Sequence, residues 1–440
     1  AGNHRVSFPT RRRAMIRRHA LVAASCFIIT GLFQACSKTS ENNTLLRIEG
    51  QEQQAKLGQQ VRMFVDLNGD GIPEIVSASV SRFPLTGIGV YSGADGTEIY
   101  RITSELNNYI VKRFTFTRDL NGDGIPEIAA PGTGSSPTLA VFSGQDGKLL
   151  FKTGERLYFD KAQEPRVISL PDRNGDGIPE IAVDQLRRNL VIFSGKDGVK
   201  IHELDPPKAL YDHIQYDMAS DIDGDGFEDL VGLSYIDRVP QCSFYSSGCL
   251  SKLSGPSPLP LPQRPHHYAL ADLNGDDFPD IVAAHHAGGK PDGSVLLACN
   301  GKSGNELWRV NGTNIEGGSQ MVVVDADTGE TTSTYQDVNF ADSLVLLQDL
   351  NKDAIPEVAT GHAGLSNPQE KTAGCILIFS GKDGELIRRI SSPDTRHRIG
   401  NAMDSFIDAD FNGVADLLLG IPGADAGERK EAGCVILMPL

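Results

Sequence analysis

Apolar residues come in short runs along this chain, broken by clusters of Gly, Asp, Asn, Ser and Pro. From residue 44 onward no segment shows helical periodicity, and the runs have the length and bounding turns of β-strands. Many runs come in pairs around a tight turn: VYSGADGTEIY (90–100), VFSGQDGKLLF (141–151), IFSGKDGVKI (192–201), LACNGKSGNELW (297–308) and IFSGKDGELI (378–387). An apolar run, a Ser-Gly-x-Asp-Gly turn and a second apolar run predict a β-hairpin. Ahead of the hairpins, further short runs flank an acidic loop, as at 61–65 and 75–80 around the first. Each unit therefore holds four short strands.

The acidic loop recurs seven times: DLNGDGIPEI (66–75), DLNGDGIPEI (119–128), DRNGDGIPEI (172–181), DIDGDGFEDL (221–230), DLNGDDFPDI (272–281), DLNKDAIPEV (349–358) and DADFNGVADL (408–417). Start-to-start spacings are 53, 53, 49, 51, 77 and 59 residues. Four-stranded units of about 50 residues in tandem are the signature of a propeller. The expected fold is all-β, a seven-bladed β-propeller of four-stranded blades over 44–440. This overrules the about three domains that length alone suggests. The seventh unit offers strands at 403–407, 416–420 and 433–438 and then ends, whereas TLLRI (44–48) resembles the fourth strands of other units. The amino-terminal strand is thus expected to complete the last blade, which removes exposed edges. Two insertions break the rhythm: 238–265, which contains PSPLPLPQRP, and 311–341, whose VVVDADTGETTSTY reads as an added hairpin.

Alternating carboxylates and amides, a Gly at position six and a carboxylate at position nine make a compact oxygen cage of the kind Ca²⁺ takes. In the first loop Asp66, Asn68, Asp70 and Glu74 supply side-chain oxygens and Ile72 its carbonyl. The second offers Asp119, Asn121, Asp123, Ile125 and Glu127, and the third Asp172, Asn174, Asp176, Ile178 and Glu180. The fourth has Asp221, Asp223, Asp225, Phe227 and Asp229, and the fifth Asp272, Asn274, Asp276, Phe278 and Asp280. The sixth has Asp349, Asn351, Asp353, Ile355 and Glu357, and the seventh Asp408, Asp410, Asn412, Val414 and Asp416. Asp277 and Ala354 stand where the fifth and sixth loops should have Gly. The side-chain positions hold 22 carboxylates in all, and crowding them without a cation is costly. The competing readings are metal-free Asx turns and dockerin- or thrombospondin-type Ca²⁺ repeats, which are more closely spaced and poor in strands.

Charge narrows the partners. The formal charge is −16, and residues 1–35 hold six Arg and no acidic residue, so the remainder carries −22. A nucleic-acid partner, which needs a basic face, is excluded. The basic RRRAMIRR (11–18), the apolar stretch 21–35 and the ending LFQAC (32–36) form an export signal over 1–35, with 1–14 an upstream extension. The Ala-Cys ending resembles the bacterial lipobox, which would place a lipid on Cys36 ahead of a polar tether (36–43); an ordinary secretory signal and a retained anchor are the alternatives. The expected location is the cell envelope or cell surface, with the membrane reached only through that anchor. In an oxidising compartment Cys242 and Cys249 are spaced for a local disulfide. Cys299, Cys375 and Cys434 fall in or beside third strands as small apolar residues.

The set of acidic loops, and above all DADFNGVADLLLGIPGAD (408–425) followed by GCVIL (433–437), resembles the FG-GAP repeat family, the propeller of integrin α-subunits and many bacterial surface proteins. The resemblance implies Ca²⁺ loops between the first two strands of each blade, structural in role, with a protein or glycan ligand bound elsewhere. It implies an adhesion or ligand-binding module rather than an enzyme. Enzymatic alternatives stay open. His285 and His362 sit at equivalent positions after their loops and could hold a metal or act as acid and base. A calcium-using polysaccharide lyase on a related propeller is a second alternative. A quinoprotein is a third, suggested by NGKSGNELW (300–308), although Trp308 is the only Trp.

Overall fold

The computed structural model describes residues 44–440 except 81–86, 104–112, 133–137, 158–165, 186–189, 205–214, 237–238, 248–251, 255–257, 261–264, 266, 286–294, 316–317, 325–330, 337–342, 363–373, 392–398 and 406–407. They belong to one compact unit, 43–440. The expected signal, tether and Cys36 lie outside the described residues.

Among the described residues there is no helix, and thirty strands form seven antiparallel sheets. Each sheet is one blade. Blade one comprises Gln60–Met63, Ile75–Ser79, Gly87–Tyr91 and Glu98–Thr103, in that order. First strands of neighbouring blades touch, one on seven, seven on six, six on five, four on three and three on two, so they ring a common axis. Middle strands such as Leu190–Phe193 and Cys375–Phe379 are buried throughout. Both their faces meet a neighbouring blade, which is why they read as continuous apolar runs. The apolar clusters straddle blade boundaries. Val282, Leu296 and Trp308 of blade five, for example, pack with Val358, Leu377 and Phe379 of blade six.

The ring closes as expected. Leu46–Glu49 pairs antiparallel with Cys434–Met438 and becomes the fourth strand of blade seven, beyond Leu417–Ile421 and Ala402–Asp404. Asp404 of that blade accepts the backbone N–H of Met63 in blade one at 2.8 Å. Blade five gains two strands, Gly318–Val324 and Thr331–Gln336, where the 311–341 insertion predicts a hairpin. In blade four the third strand lengthens to Val239–Tyr245, and Leu259 of the proline-rich segment is buried with its N–H on the Pro240 carbonyl at 2.8 Å.

Neighbouring blades are joined by a repeated dock. A residue on one fourth strand lies against the last glycine of the next blade's Ser-Gly-x-Asp-Gly turn. Tyr100 meets Gly147, Phe151 meets Gly198, Trp308 meets Gly384 and Ile48 meets Gly96. Gly147 and Gly384 have φ of 72° and 73°. A Cβ there would stand 2.7 Å from the Tyr100 ring or 2.8 Å from the Trp308 indole. Only glycine satisfies both the left-handed turn and the close approach. The polar tips then reach the first glycine of the turn: Tyr100 Oη donates to the Gly144 carbonyl, and Trp308 Nε1 donates to the Gly381 carbonyl at 2.6 Å.

Candidate metal centres and an axial polar cluster

All seven acidic loops join the first strand of a blade to the second. The first shows the local wiring. Asp66 Oδ1 and Oδ2 accept the N–H groups of Gly69 (2.7 Å) and Gly71 (2.8 Å). Asn68 Oδ1 accepts Asp70 N–H and Asp70 Oδ1 accepts Ile72 N–H, each at 2.8 Å. Glu74, fully buried, accepts Leu67 and Asn68 N–H on Oε1 and, on Oε2, the N–H of Gly93 at 3.1 Å. Gly93 opens the hairpin turn of the same blade. Asp229 reaches Ser247 N–H and Asp280 reaches Gly301 N–H in the same way. The ninth-position carboxylate thus ties the acidic loop to the hairpin turn, which accounts for the steady distance between the two motifs in the sequence.

The fifth and sixth loops keep this form without their Gly. Asp277 and Ala354 adopt φ of 60° and 70° and donate to Asp272 Oδ2 and Asp349 Oδ2 at 2.9 and 2.8 Å. Left-handed backbone at such residues costs about 1–2 kcal/mol each.

Electrostatics divide the loop positions. Backbone donation, led by Gly71, holds the Asp66 carboxyl below its usual pKa. Burial pushes the ninth-position carboxyls up: Glu74, Glu180, Asp229, Asp280, Glu357 and Asp416 all rise, and Glu127 rises to about 7. Among the described residues, Glu127 Oε1, Glu180 Oε1 and Asp416 Oδ1 are buried with no hydrogen-bond partner. Three loops draw acidic side-chain oxygens within 4.8 Å of one another: Asp119, Asp123 and Glu127; Asp221, Asp223 and Asp225; and Asp408, Asp410 and Asp416. These clusters could bind a metal ion. Clustered carboxylates with a buried oxygen left unpaired fit a hard cation.

The fifth loop is wired differently. Lys302 Nζ, from the hairpin turn of the same blade, donates to the Asp276 carbonyl at 3.1 Å and lies 3.5 Å from Asp276 Oδ1. Asn300 Nδ2 donates to Asp276 Oδ2 and Asn274 Nδ2 to Asp280 Oδ1, at 3.1 and 3.3 Å. In-loop amide bonds also occur in loops two and seven, Asn121 to Asp123 and Asn412 to Asp410, so what sets the fifth apart is the ammonium and amide that reach Asp276 from the hairpin turn.

His285 is buried at the end of the second strand of blade five, opposite Val295. His362 ends the equivalent strand of blade six, opposite Cys375, and its side chain lies outside the described residues. Cys242 is buried, while Cys249, its expected disulfide partner, lies outside the described residues. Cys299, Cys375 and Cys434 are buried, as expected of small apolar residues on third strands.

A further cluster escapes sequence reading. Arg166, Asp217 and Tyr268 come from the first strands of blades three, four and five, Arg166–Ser169, Gln215–Met218 and His267–Ala271. The Arg166 guanidinium lies 4.7 Å from the Tyr268 ring centroid and 3.3 Å from Asp217 Oδ2. Asp184, directly across from Arg166 on the next strand, is buried and accepts Tyr216 N–H at 3.3 Å. The available signal was spacing, because the three residues are separated by 51 and 51 positions, one repeat length each.

The chain is thus a seven-bladed β-propeller carrying candidate cation cages on its loops. No family model matches it, and no curated protein matches it. Among solved structures it is similar to the computationally designed Ika8 protein, at 12% identity and TM-score 0.50, covering 91% of this chain and 100% of that one. It is similar to a chain of BBS1N in complex with ARL6DN, at 10% identity and TM-score 0.50, covering 90% and 94%. BamB from Moraxella catarrhalis aligns at 9% identity and TM-score 0.47, covering 90% and 97%. At these identities the likeness is one of fold.

Proposed function

We propose that this protein is a calcium-stabilised propeller of the FG-GAP type that works outside the cytoplasm, held at the cell surface by a lipid on Cys36, and binds a protein or glycan. The observation that carries the reading is the repeated cage, in which buried ninth-position carboxylates keep unpaired oxygens at Glu127, Glu180 and Asp416. The donor set is all oxygen, from carboxylates, amides and a carbonyl. That chemistry favours Ca²⁺ over softer metals. Loops one to four, six and seven are the calcium sites of this reading. The fifth is neutralised by Lys302.

The test is a thermal melt of the mature chain in EDTA, in millimolar Ca²⁺ and in Mg²⁺, with elemental analysis of the dialysed protein. A Ca²⁺-specific rise in midpoint with several calcium ions per chain is the expected result. An unchanged midpoint with no calcium retained overturns the reading. Loss of labelled fatty-acid incorporation in Cys36→Ser tests the anchor.

A further inference from the structure

The surface of the ring is unevenly apolar. Eleven large hydrophobic side chains are exposed among the described residues, and ten of them lie at the acidic-loop end of their blades. Val239 lies at the other end, paired with Ile236 where blade four turns back from its second strand. Phe227 and Phe411 belong to the loops themselves. Ile99 and Leu149 begin fourth strands, level with the residues that leave the loops: Glu98 faces Tyr91, which faces Ile75, and Leu149 faces Phe142, which faces Ile128. Phe411 is 74% exposed and left-handed, with φ of 59°. Loops one to five have Gly at this position, and a Cβ on any of them would meet nothing within 4 Å. The Phe411 ring therefore leaves the tip of its loop into open space. Strain and exposure together at one bulky residue point to a role outside the fold.

The chain itself enters at that end. Leu46 faces Leu437, which faces Leu418, just beyond Asp416 of the seventh loop. The Leu45 N–H donates to the Leu437 carbonyl at 2.8 Å, and the Leu45 side chain is exposed beside it. From Cys36 to Thr44 the chain spans at most about 29 Å fully extended. A lipid on Cys36 therefore hangs from the acidic-loop end of blade seven, the blade that carries Phe411. We propose that the acidic-loop face lies against the lipid surface that holds Cys36, with Phe411 seated at the boundary of head groups and acyl chains. Apolar side chains beside charge bind at that boundary. Calcium controls the contact. Empty loops present carboxylates that repel anionic head groups. In a filled loop, four side chains and one carbonyl leave part of the about six to eight positions of Ca²⁺ open to a lipid phosphate. The inference rests on the anchor and the calcium sites proposed above. A second copy or another protein could cover the same apolar residues, but the membrane is the surface to which this end of the chain is tied.

The test couples the mature chain through Cys36 to a maleimide phospholipid, with Cys249→Ser to direct the chemistry. The vesicles are of phosphatidylethanolamine and phosphatidylglycerol with brominated acyl chains. Trp308, the only Trp, is buried, so Phe411→Trp adds an emission that bromine can reach. In millimolar Ca²⁺ that emission should fall about twofold or more against unbrominated vesicles, and EDTA should restore it. Val239→Trp, at the far end of blade four, should stay unquenched. Three results overturn the inference: Phe411→Trp quenched no more than Val239→Trp, quenching unchanged by EDTA in a protein whose melt depends on calcium, or a dimer of the uncoupled chain in Ca²⁺ that Phe411→Asp dissociates. The coupling supplies the anchor, so a failure of lipidation shows separately as absent fatty-acid incorporation. A failure of the calcium reading shows as a calcium-independent melt with the quenching retained in EDTA.

Discussion

Glu127→Gln separates the effect of a charge from the effect of a cation. Glu127 is fully buried, keeps one unpaired oxygen and shares its loop with Asp119 and Asp123. Burial first, and these neighbours after it, raise its pKa from 4.5 to about 7. At about 1.4 kcal/mol per pKa unit, ionising it in the fold costs about 3 kcal/mol. The folded-state pKa lies above the unfolded one, so the native state binds the extra proton. Its contribution is therefore full below about pH 4.5 and is lost as pH rises through about 7. In EDTA the parent should lose stability across that window. Glu127→Gln carries no such charge and should be the more stable of the two at pH 8, by about 3–4 °C for a chain of this length. Calcium narrows the gap. At 10 mM Ca²⁺ and a Kd of about 10⁻⁴–10⁻³ M, each occupied loop adds about 1.4–2.7 kcal/mol, and the variant forfeits that of loop two, which offsets about half or more of its advantage. Scanning calorimetry at pH 5.5, 7 and 8, in EDTA and in Ca²⁺, reads both effects. If the variant is the less stable in both solutions at pH 8, or if the EDTA melt of the parent is flat with pH, the reasoning is refuted.

Three further outcomes are expected. Lys302→Met should free the fifth loop and raise calcium content by about one ion per chain in elemental analysis, and unchanged content would show that Lys302 does not occupy a cation's place. Trp308→Phe should cost about 1–2 kcal/mol through its lost bond to the Gly381 carbonyl, and Trp308→Ala about 3–5 kcal/mol, read by urea unfolding. Removal of residues 44–49 should leave Cys434–Met438 as an open edge, so that chromatography shows self-association and the melt broadens.

The acidic loops could be read from the chain because their wiring is local. Nine residues set the donor spacing, and the turn glycines mark the backbone that such spacing needs. Closure was legible because TLLRI (44–48) has the pattern of a fourth strand and the seventh unit lacks one. What stayed hidden depends on contacts between distant residues. Lys196 and Lys382 hold the same turn position as Lys302, yet among the described residues only Lys302 reaches its acidic loop. Asn300, where the other turns have Ser, bonds to Asp276 beside it. Arg166, Asp217 and Tyr268 are unremarkable members of three different strands and meet only when the first strands gather around the axis. Asp277 and Ala354 stand where Gly is expected, yet the hydrogen bonds to Asp272 and Asp349 hold the same backbone regardless.

The two repeated devices, cage and dock, meet at the same turn. In blade one the Glu74 carboxylate holds Gly93 at the start of the hairpin turn, and Ile48 of blade seven lies against Gly96 at its end. In blade two a Cβ on Gly144 would collide with the Pro126 carbonyl of the acidic loop at 1.9 Å and with Phe64 of blade one at 2.9 Å, while Tyr100 of blade one bonds the Gly144 carbonyl. In blade six Trp308 bonds the Gly381 carbonyl, and Gly381 is backed by the Pro356 carbonyl of its loop. Loop, turn and neighbouring blade therefore share one backbone segment. A cation that fixes the loop fixes the turn, and the turn is the surface on which the previous blade docks. Calcium bound in one blade should then stabilise its neighbour through packing already present. The melt of the calcium-loaded ring should be a single sharp transition, with loop-by-loop loosening confined to the chelated protein.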